Sequence, residues 1–288
     1  MKALVFGGAG QLGRALQAKA GDGWTIETVD LPECDITDEG AIKAMIAGSD
    51  CDIVINAAAH TAVDRAESER ELAQKINGDA PGWIAQQCSA SSKALVHIST
   101  DFVFGEGHYE PIKPDAKPSP LSVYGATKLA GELAAKVALP DVLIIRTSRV
   151  YAAKGTNFVL AMLRLMAEQD ELSVVADQIG SPTAAGDLAD AVTRFADAGA
   201  TGVYHFTNDG MCSWHEFAIA VAEESVAVGL LEGYPIITAV PTSSYPTPAR
   251  RPAYSVLDKQ TAWGVLGGPA RHWRDALREI ILEIKENG

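Results

Sequence analysis

Short apolar runs alternate with longer stretches of helical period through the first half of the chain. Runs at residues 3–6, 24–29, 53–56, 94–99 and 142–146 are rich in β-branched and aliphatic side chains and read as buried strands. Residues 11–20, 40–47, 67–89 and 124–137 between them read as helices. This alternation predicts a parallel sheet with helices on both faces and right-handed crossovers. Past residue 150 the pattern changes. Helical periods at 157–169, 185–196, 213–223 and 271–285 are separated by short strand-like runs at 172–175 and 202–206. The expected fold is α/β: a doubly wound parallel sheet over residues 1–150, then a smaller C-terminal lobe over 151–288 with some segments returning to the first unit. Five prolines with Ser and Thr fall within residues 234–252. That stretch reads as a structureless linker or as a long loop folded over a ligand.

Composition narrows the class. Hydrophobic residues make up 47% of the 288, enough for a sizeable core and too many for disorder. The 37 acidic and 24 basic side chains give a formal charge of -13, which disfavours nucleic acid and anionic membrane as partners. A small anionic ligand needs only local donors and stays open. Cys34, Cys51, Cys88 and Cys212 form no CxxC pair, and the six histidines show no metal-ligand spacing. No charged leader precedes the first strand, and no apolar run is long enough to span a bilayer, so a cytoplasmic protein is expected.

Gly7-Gly8-Ala9-Gly10-Gln11-Leu12-Gly13 follows the first strand and opens the first helix. Glycines at this spacing permit a tight turn, close backbone approach to a pyrophosphate, and close helix–sheet packing. The helix N-terminus supplies the positive end of a dipole. In this position the motif marks a Rossmann-type NAD(P)-binding unit. Asp30 lies 17 residues past Gly13. An acid there either accepts from a ribose 2′-hydroxyl, favouring NADH, or is a solvated turn residue; Arg14 either meets a 2′-phosphate, favouring NADPH, or faces solvent. Asp35 and Ile36 are candidates for the adenine edge, and Asp38 for the cap of the next helix. The small residues Ala57, Ala58 and Ala59 end the third strand on the same edge and would admit a flat ligand.

Tyr124 and Lys128 stand four residues apart at the start of a helix, hence one turn apart on one face. An ammonium beside a phenol favours the phenolate and tunes it for proton transfer. Ser99-Thr100-Asp101 ends the strand before it, where a hydroxyl can hold a carbonyl oxygen. A glycine cradle, a strand-end Ser/Thr and Tyr-x-x-x-Lys, in that order, resemble the short-chain dehydrogenase/reductase plan.

Further blocks narrow the resemblance. Asn56-Ala57-Ala58-Ala59-His60-Thr61-Ala62-Val63-Asp64-Arg65-Ala66-Glu67, Ser99-Thr100-Asp101-Phe102-Val103-Phe104, Arg146-Thr147-Ser148-Arg149-Val150-Tyr151, Asp177-Gln178-Ile179-Gly180-Ser181-Pro182-Thr183 and the late run ending Arg250-Arg251-Pro252 are similar to those of dTDP-4-dehydrorhamnose reductases. The resemblance covers nearly the whole chain. It implies hydride transfer from NADPH or NADH to C4 of a dTDP-4-keto sugar. By resemblance Tyr124 protonates the oxygen, Lys128 binds the nicotinamide ribose and Thr100 holds the C4 oxygen. The cofactor set it implies is Gly7, Gly10, Gln11, Leu12, Gly13, Asp30, Asp35, Ile36, Ala58, Ala59, Thr61, Tyr124 and Lys128. The substrate set is Thr61, Val63, Thr100, Asp101, Phe102, Tyr124, Arg149, Asn157 and Arg251.

Two departures stand out. Arg149 occupies a position where the family often carries Trp; it would pair with a diphosphate or with an acid such as Asp177. Members that dimerise through a metal bridge carry an acid just after the glycine loop, where this chain has Arg14-Ala15, so no metal site is expected. The oligomeric state stays open, a homodimer included. His60 is expected as packing or polar lining, and Trp214 and His215 as core and cap. The alternatives are another nucleotide-sugar 4-keto reductase or an epimerase, or a non-catalytic regulatory subunit of the methionine adenosyltransferase type.

Overall fold

The computed structural model describes residues 1–21 and 23–287. Its strands are β1 (Lys2–Phe6), β2 (Thr25–Val29), β3 (Ile53–Asn56), β4 (Ala94–Thr100), β5 (Leu143–Thr147), β6 (Val150–Tyr151), β7 (Glu171–Val175), β8 (Ile179–Gly180), β9 (Thr183–Ala184), β10 (Gly202–His205), β11 (Cys212–Ser213) and β12 (Ile236–Val240). Its helices are α1 (Gln11–Gln17), α2 (Glu39–Gly48), α3 (Val63–Ala66), α4 (Arg70–Ala73), α5 (Ala80–Ala90), α6 (Val123–Ala138), α7 (Phe158–Glu168), α8 (Ala185–Asp197), α9 (Trp214–Ala227), α10 (Gln260–Leu266) and α11 (Trp273–Asn287).

Six strands form one parallel sheet in the order β10-β5-β4-β3-β1-β2. On one face Val5, Ile55, Val96 and Ile145 pack with Leu16 of α1 and Leu188, Val192 and Phe195 of α8. On the other, Leu4, Phe6, Val54 and Ile144 pack with Ile42 and Ile46 of α2, Ile84 of α5 and Ala135 of α6. Burial on both faces is why these strands read as unbroken apolar runs. The chain runs from β1 outward to β2, then returns to β3 on the other side of β1. Such a reversal opens a crevice at the carboxyl ends of the strands. A separate core joins Met162 and Met166 of α7, Phe217 and Val221 of α9, and Leu277 and Ile281 of α11. β10 completes the main sheet from the second half, pairing Gly202 with Leu143.

Two expectations need correction. Residues 67–89 are not one helix: α4 leads into a π-helical turn, Gln74–Asp79, before α5. Pro81 explains the break. Proline donates no hydrogen bond and crowds the carbonyl four residues earlier, here that of Asn77, so the chain widens there. Residues 234–252 are neither a linker nor wholly loop, because β12 pairs in parallel with β7, Ile236 opposite Glu171. Asp38 caps α2 as anticipated, accepting from Gly40 N and Ala41 N.

Candidate active site

The glycine loop sits where the sheet reverses. Gly7 has φ +88°, and a Cβ there would lie 2.6 Å from Ala58 N. A Cβ on Gly13 would lie 2.2 Å from Gly7 O. Only glycine lets the loop approach β3 and α1 this closely. The Gly7 and Gly8 amides donate to Val29 O, Ala9 N to Asp30 and Gly10 N to Gly7 O, so the donors left for an anion are the first-turn amides of α1. Asp30 accepts from Ala9 N and from Leu31 N, each at 2.9 Å, so the acid past β2 braces the loop as well as lining the cleft.

A cleft of about 650 Å³ runs along the strand ends from Asp30, Asp35 and Ile36 to Ser99, Tyr124 and Lys128. Gly7, Gly10, Gln11, Leu12, Ala58, Ala59 and Thr61 also line it. Gly13 lies behind the loop, where its role is packing against Gly7 and Gly8. Asp35 is folded into its own turn, accepting from Thr37 N at 2.9 Å and Thr37 Oγ1 at 2.8 Å. The glycine loop at the start of α1 and the Ile36 and Leu12 side chains lining the same cleft fit a dinucleotide.

At the reactive end, the Tyr124 ring meets Phe102 edge-on, with centroids 5.5 Å apart. Val63 and Phe102 pack with Tyr124, Ala66 and Ala73 in one small cluster. Burial pushes the Tyr124 phenol up to about 12, against a lowering hydrogen bond with Thr100. The expectation of a phenol lowered by its lysine is therefore corrected: desolvation wins, and the Lys128 ammonium is turned to Ile98 O at 2.7 Å. Burial also brings Lys128 down to about 8, with the nearby Glu132 carboxylate acting to raise it. A neutral phenol beside a cation suits proton donation.

Thr100 accepts from Phe102 N at 3.2 Å and donates to Asp101 Oδ1 at 3.1 Å. Asp101 itself is buried and accepts from Ser148 Oγ at 2.7 Å, with burial raising its carboxyl. It braces the turn after β4 from within. Asn157 caps α7 and donates to Gln11 Oε1 at 2.9 Å; Gln11, Gly155 and Thr156 line the cleft and Asn157 does not.

Arg149 does not pair with Asp177. It donates to Cys212 O at 2.9 Å and Gln178 O at 2.8 Å, and its guanidinium lies 4.0 Å from the centroid of the Trp214 ring. Burial lowers it to about 10. Asp177 instead accepts from Thr242 N and Oγ1, tying the late segment to β7. Arg149 adopts φ +48°, an uncommon conformation for a bulky residue, and these contacts hold it there. Trp214 is thus a platform, and Ser213 is the cap, in a capping box with Glu216. Arg251 forms a bidentate pair with Asp64 on α3, and Arg250 pairs with Glu106.

Sequence reasoning missed two buried polar groups beside the site. Glu132, one turn past Lys128, pairs with Arg146 at 2.9 and 2.7 Å and accepts from Ser99 Oγ at 2.5 Å. Its place in the Tyr-x-x-x-Lys-x-x-x-Glu spacing was the available signal. Asn77, in the π turn, accepts from His60 N at 2.8 Å and donates to His60 O and Thr127 Oγ1, clamping α6 to the strand end. His60 also bonds Glu69 at 2.6 Å, a polar packing role.

The RmlD substrate binding domain family matches residues 1–286. A dTDP-4-dehydrorhamnose reductase of Aggregatibacter actinomycetemcomitans is 39% identical over 285 residues, covering 96% of this chain and 97% of that protein. A crystal structure of a dTDP-4-dehydrorhamnose reductase from Clostridium acetobutylicum aligns with TM-score 0.93 at 37% identity, covering 99% of this chain and 100% of the other. The Bacillus anthracis enzyme, solved in complex with NADP, aligns with TM-score 0.91 at 34% identity over 98% of this chain and 99% of its own. With the match running from the glycine cradle to the last helix, the chain belongs to the dTDP-4-dehydrorhamnose reductase family.

Proposed function

We propose that this enzyme reduces the C4 keto group of dTDP-4-dehydro-L-rhamnose to give dTDP-L-rhamnose, the last step of dTDP-rhamnose synthesis. The observation that carries this reading is one continuous cleft holding the glycine cradle at one end and Tyr124 with Lys128 at the other. NADPH or NADH, when bound, supplies the hydride for the carbonyl carbon.

The protein's own groups do the rest. Gly7, Gly10 and the N-terminus of α1 hold the diphosphate, and Ile36 with Asp35 borders the adenine. Lys128 binds the nicotinamide ribose. Tyr124 enters as a neutral phenol and donates its proton to the developing alkoxide at C4, while Thr100 holds the same oxygen. Lys128 lies one helical turn away and stabilises the phenolate left behind. Thr61, Val63 and Phe102 form the sugar wall beside Tyr124, Asp101 keeps Thr100 in place, and Arg251 meets the sugar-nucleotide diphosphate. Arg149 and Asn157 act one layer back, on the walls. Residues 151–288 serve mainly as the substrate lobe. The four cysteines are free and buried, which supports a reducing compartment, the cytoplasm. Among the described residues no helix is long and apolar enough to cross a membrane.

The test is oxidation of NADPH and NADH with enzymatically generated dTDP-4-dehydro-L-rhamnose, comparing the wild type with Tyr124→Phe. Turnover by the wild type and a loss of about 100-fold or more in Tyr124→Phe, with cofactor still bound, is the expected result. Full turnover in Tyr124→Phe would overturn the proton donor. No turnover by the wild type with cofactor bound would favour another keto sugar or a regulatory role.

A further inference from the structure

Thr147 ends β5 with its side-chain hydroxyl buried and without a hydrogen-bond partner, the residue being 6% exposed. A threonine hydroxyl both donates and accepts, and leaving it unpaired away from water is costly. Its neighbours are committed elsewhere: Arg146 to Glu132 and Ser148 to Asp101. Among the described residues, the buried side-chain atoms lacking a partner belong to His60, His97, Thr147, His205 and Trp273. Of these residues, only Thr147 lines the cleft.

Position along the cleft narrows what it meets. Thr147 stands opposite Thr100 in the β4–β5 ladder. Asp30 follows β2, three strands farther along the sheet from β4. The Thr147 hydroxyl therefore belongs to the end that carries Tyr124 and Lys128, not to the adenine end. Ile98, Val150 and Leu188 line the cleft with it, as do Ser99 and Lys128, whose hydroxyl and ammonium are already committed to Glu132 and to Ile98 O. A hydroxyl with no partner of its own suits a group that offers both an acceptor and a donor, and a primary carboxamide offers both.

We propose that the Thr147 hydroxyl hydrogen-bonds the carboxamide of the cofactor's nicotinamide ring and so fixes the rotation of that ring in the cleft. The inference rests on the reading of the cleft as a nicotinamide-cofactor site. Thr147→Val keeps the branching and β-propensity of the side chain and replaces the hydroxyl by a methyl group.

The experiment titrates the full-length wild type, Thr147→Val and Thr147→Ser with NADPH, NADH and ADP-ribose, and records a thermal melt of each. In Thr147→Val the dissociation constants for NADPH and NADH are expected to rise about tenfold, the worth of one buried hydrogen bond. ADP-ribose, which lacks the ring, should bind unchanged. Thr147→Ser should bind within about twofold of the wild type. The melting temperature of Thr147→Val should hold or rise, because no internal bond is lost. Unchanged NADPH and NADH affinity in Thr147→Val would overturn the proposal. So would an equal loss for ADP-ribose, or a marked fall in melting temperature, which would mean that the hydroxyl is bonded within the protein. A wild type that binds neither NADPH nor NADH would instead overturn the cofactor reading, a failure visible before any variant is compared.

Discussion

The guanidinium of Arg251 and the carboxylate of Asp64 face each other as a fork, with N···O distances of 3.0 and 2.8 Å. Asp64 accepts from Ala249 N as well, at 3.1 Å, and Arg251 reaches Thr247 Oγ1 at 2.7 Å. The pair ties the late loop to α3, next to Val63 on the wall beside Tyr124. The fork holds the Asp64 carboxyl below its ordinary range. Its stabilising effect is therefore present above about pH 4 and lost as pH falls through the lowered value. Half-exposed pairs contribute little, about 1 kcal/mol at most.

Arg251 has two tasks under this reading, closing the loop and meeting the diphosphate. Either single change, Asp64→Ala or Arg251→Ala, should lower stability by about 0.5–1 kcal/mol. The reversed pair, Asp64→Arg with Arg251→Asp, should restore that stability and leave the KM for the nucleotide sugar raised, since a carboxylate at 251 repels a diphosphate. Denaturant melts and steady-state kinetics on the four proteins decide it. If the reversed pair also restores KM, Arg251 is a loop latch only.

The pH dependence of turnover should follow Lys128. Its ammonium falls from 10.5 to about 8 because it is buried, whereas Tyr124 rises to about 12. The lysine is thus the group that loses its charge first as pH rises. kcat/KM, which reports the free enzyme, should decline above about pH 8. Tyr124→Phe should lower the rate without moving that limb. Stability runs the other way. Between about 8 and 10.5 the unfolded chain keeps the lysine proton that the fold has released, so raising the pH favours the fold at this residue. Unfolding free energy measured against Lys128→Met should show an increment of about 1–3 kcal/mol across that window in the wild type alone. An alkaline limb that shifts in Tyr124→Phe would assign it to the phenol instead.

Two glycines of the cradle should respond differently to one methyl group. At Gly7 a Cβ meets Ala58 N at 2.6 Å, and the backbone is at φ +88°. Gly7→Ala is expected to cost about 2–4 kcal/mol in stability, from strain and overpacking together. Gly10 has φ -71° as the cap of α1, and its nearest neighbour would be Gly7 O at 3.2 Å. Gly10→Ala should fold within about 1 kcal/mol of the wild type and still bind NADPH at least about tenfold more weakly, because the methyl stands where the diphosphate approaches. Melts and cofactor titrations separate the two effects. A Gly10→Ala protein with unchanged affinity would remove the loop from the diphosphate site.

The sheet was legible because its strands are buried on both faces, so residues 53–56 stand out as Ile-Val-Ile-Asn between polar and small neighbours, and the observed strand has those bounds. Local chemistry was equally readable: Asp38 as a cap and Tyr124 one turn from Lys128 need only nearest-neighbour rules. What escaped depends on partners distant in sequence. β12 hides among prolines and is a strand only because β7 offers it an edge. α10 is short and carries Gly264, which weakens its helical signal. Glu132 is charged yet buried, and only the fold brings Arg146 and Ser99 to it. Asp64 and Arg251 are 187 residues apart, beyond any local pattern. The π turn needs the register of Asn77 against His60 as well as Pro81.

Cofactor choice is expected to depend on Asp30. Its two oxygens take amide protons from Ala9 and Leu31, which places a carboxylate beside the glycine loop at the lip of the cleft. A carboxylate there attracts a ribose 2′-hydroxyl and repels a 2′-phosphate. The two amide donors spread part of that charge, so discrimination against NADPH should be partial, and both cofactors should support turnover. Asp30→Asn keeps an oxygen for one amide while removing the charge. It should raise the ratio of kcat/KM for NADPH over NADH by about tenfold, the worth of one screened charge repulsion near the surface. Most of the change should appear as a lower KM for NADPH, and higher ionic strength should shrink it. A ratio that does not move, at low salt and with an intact melt, would mean that the carboxylate braces the loop and takes no part in reading the ribose.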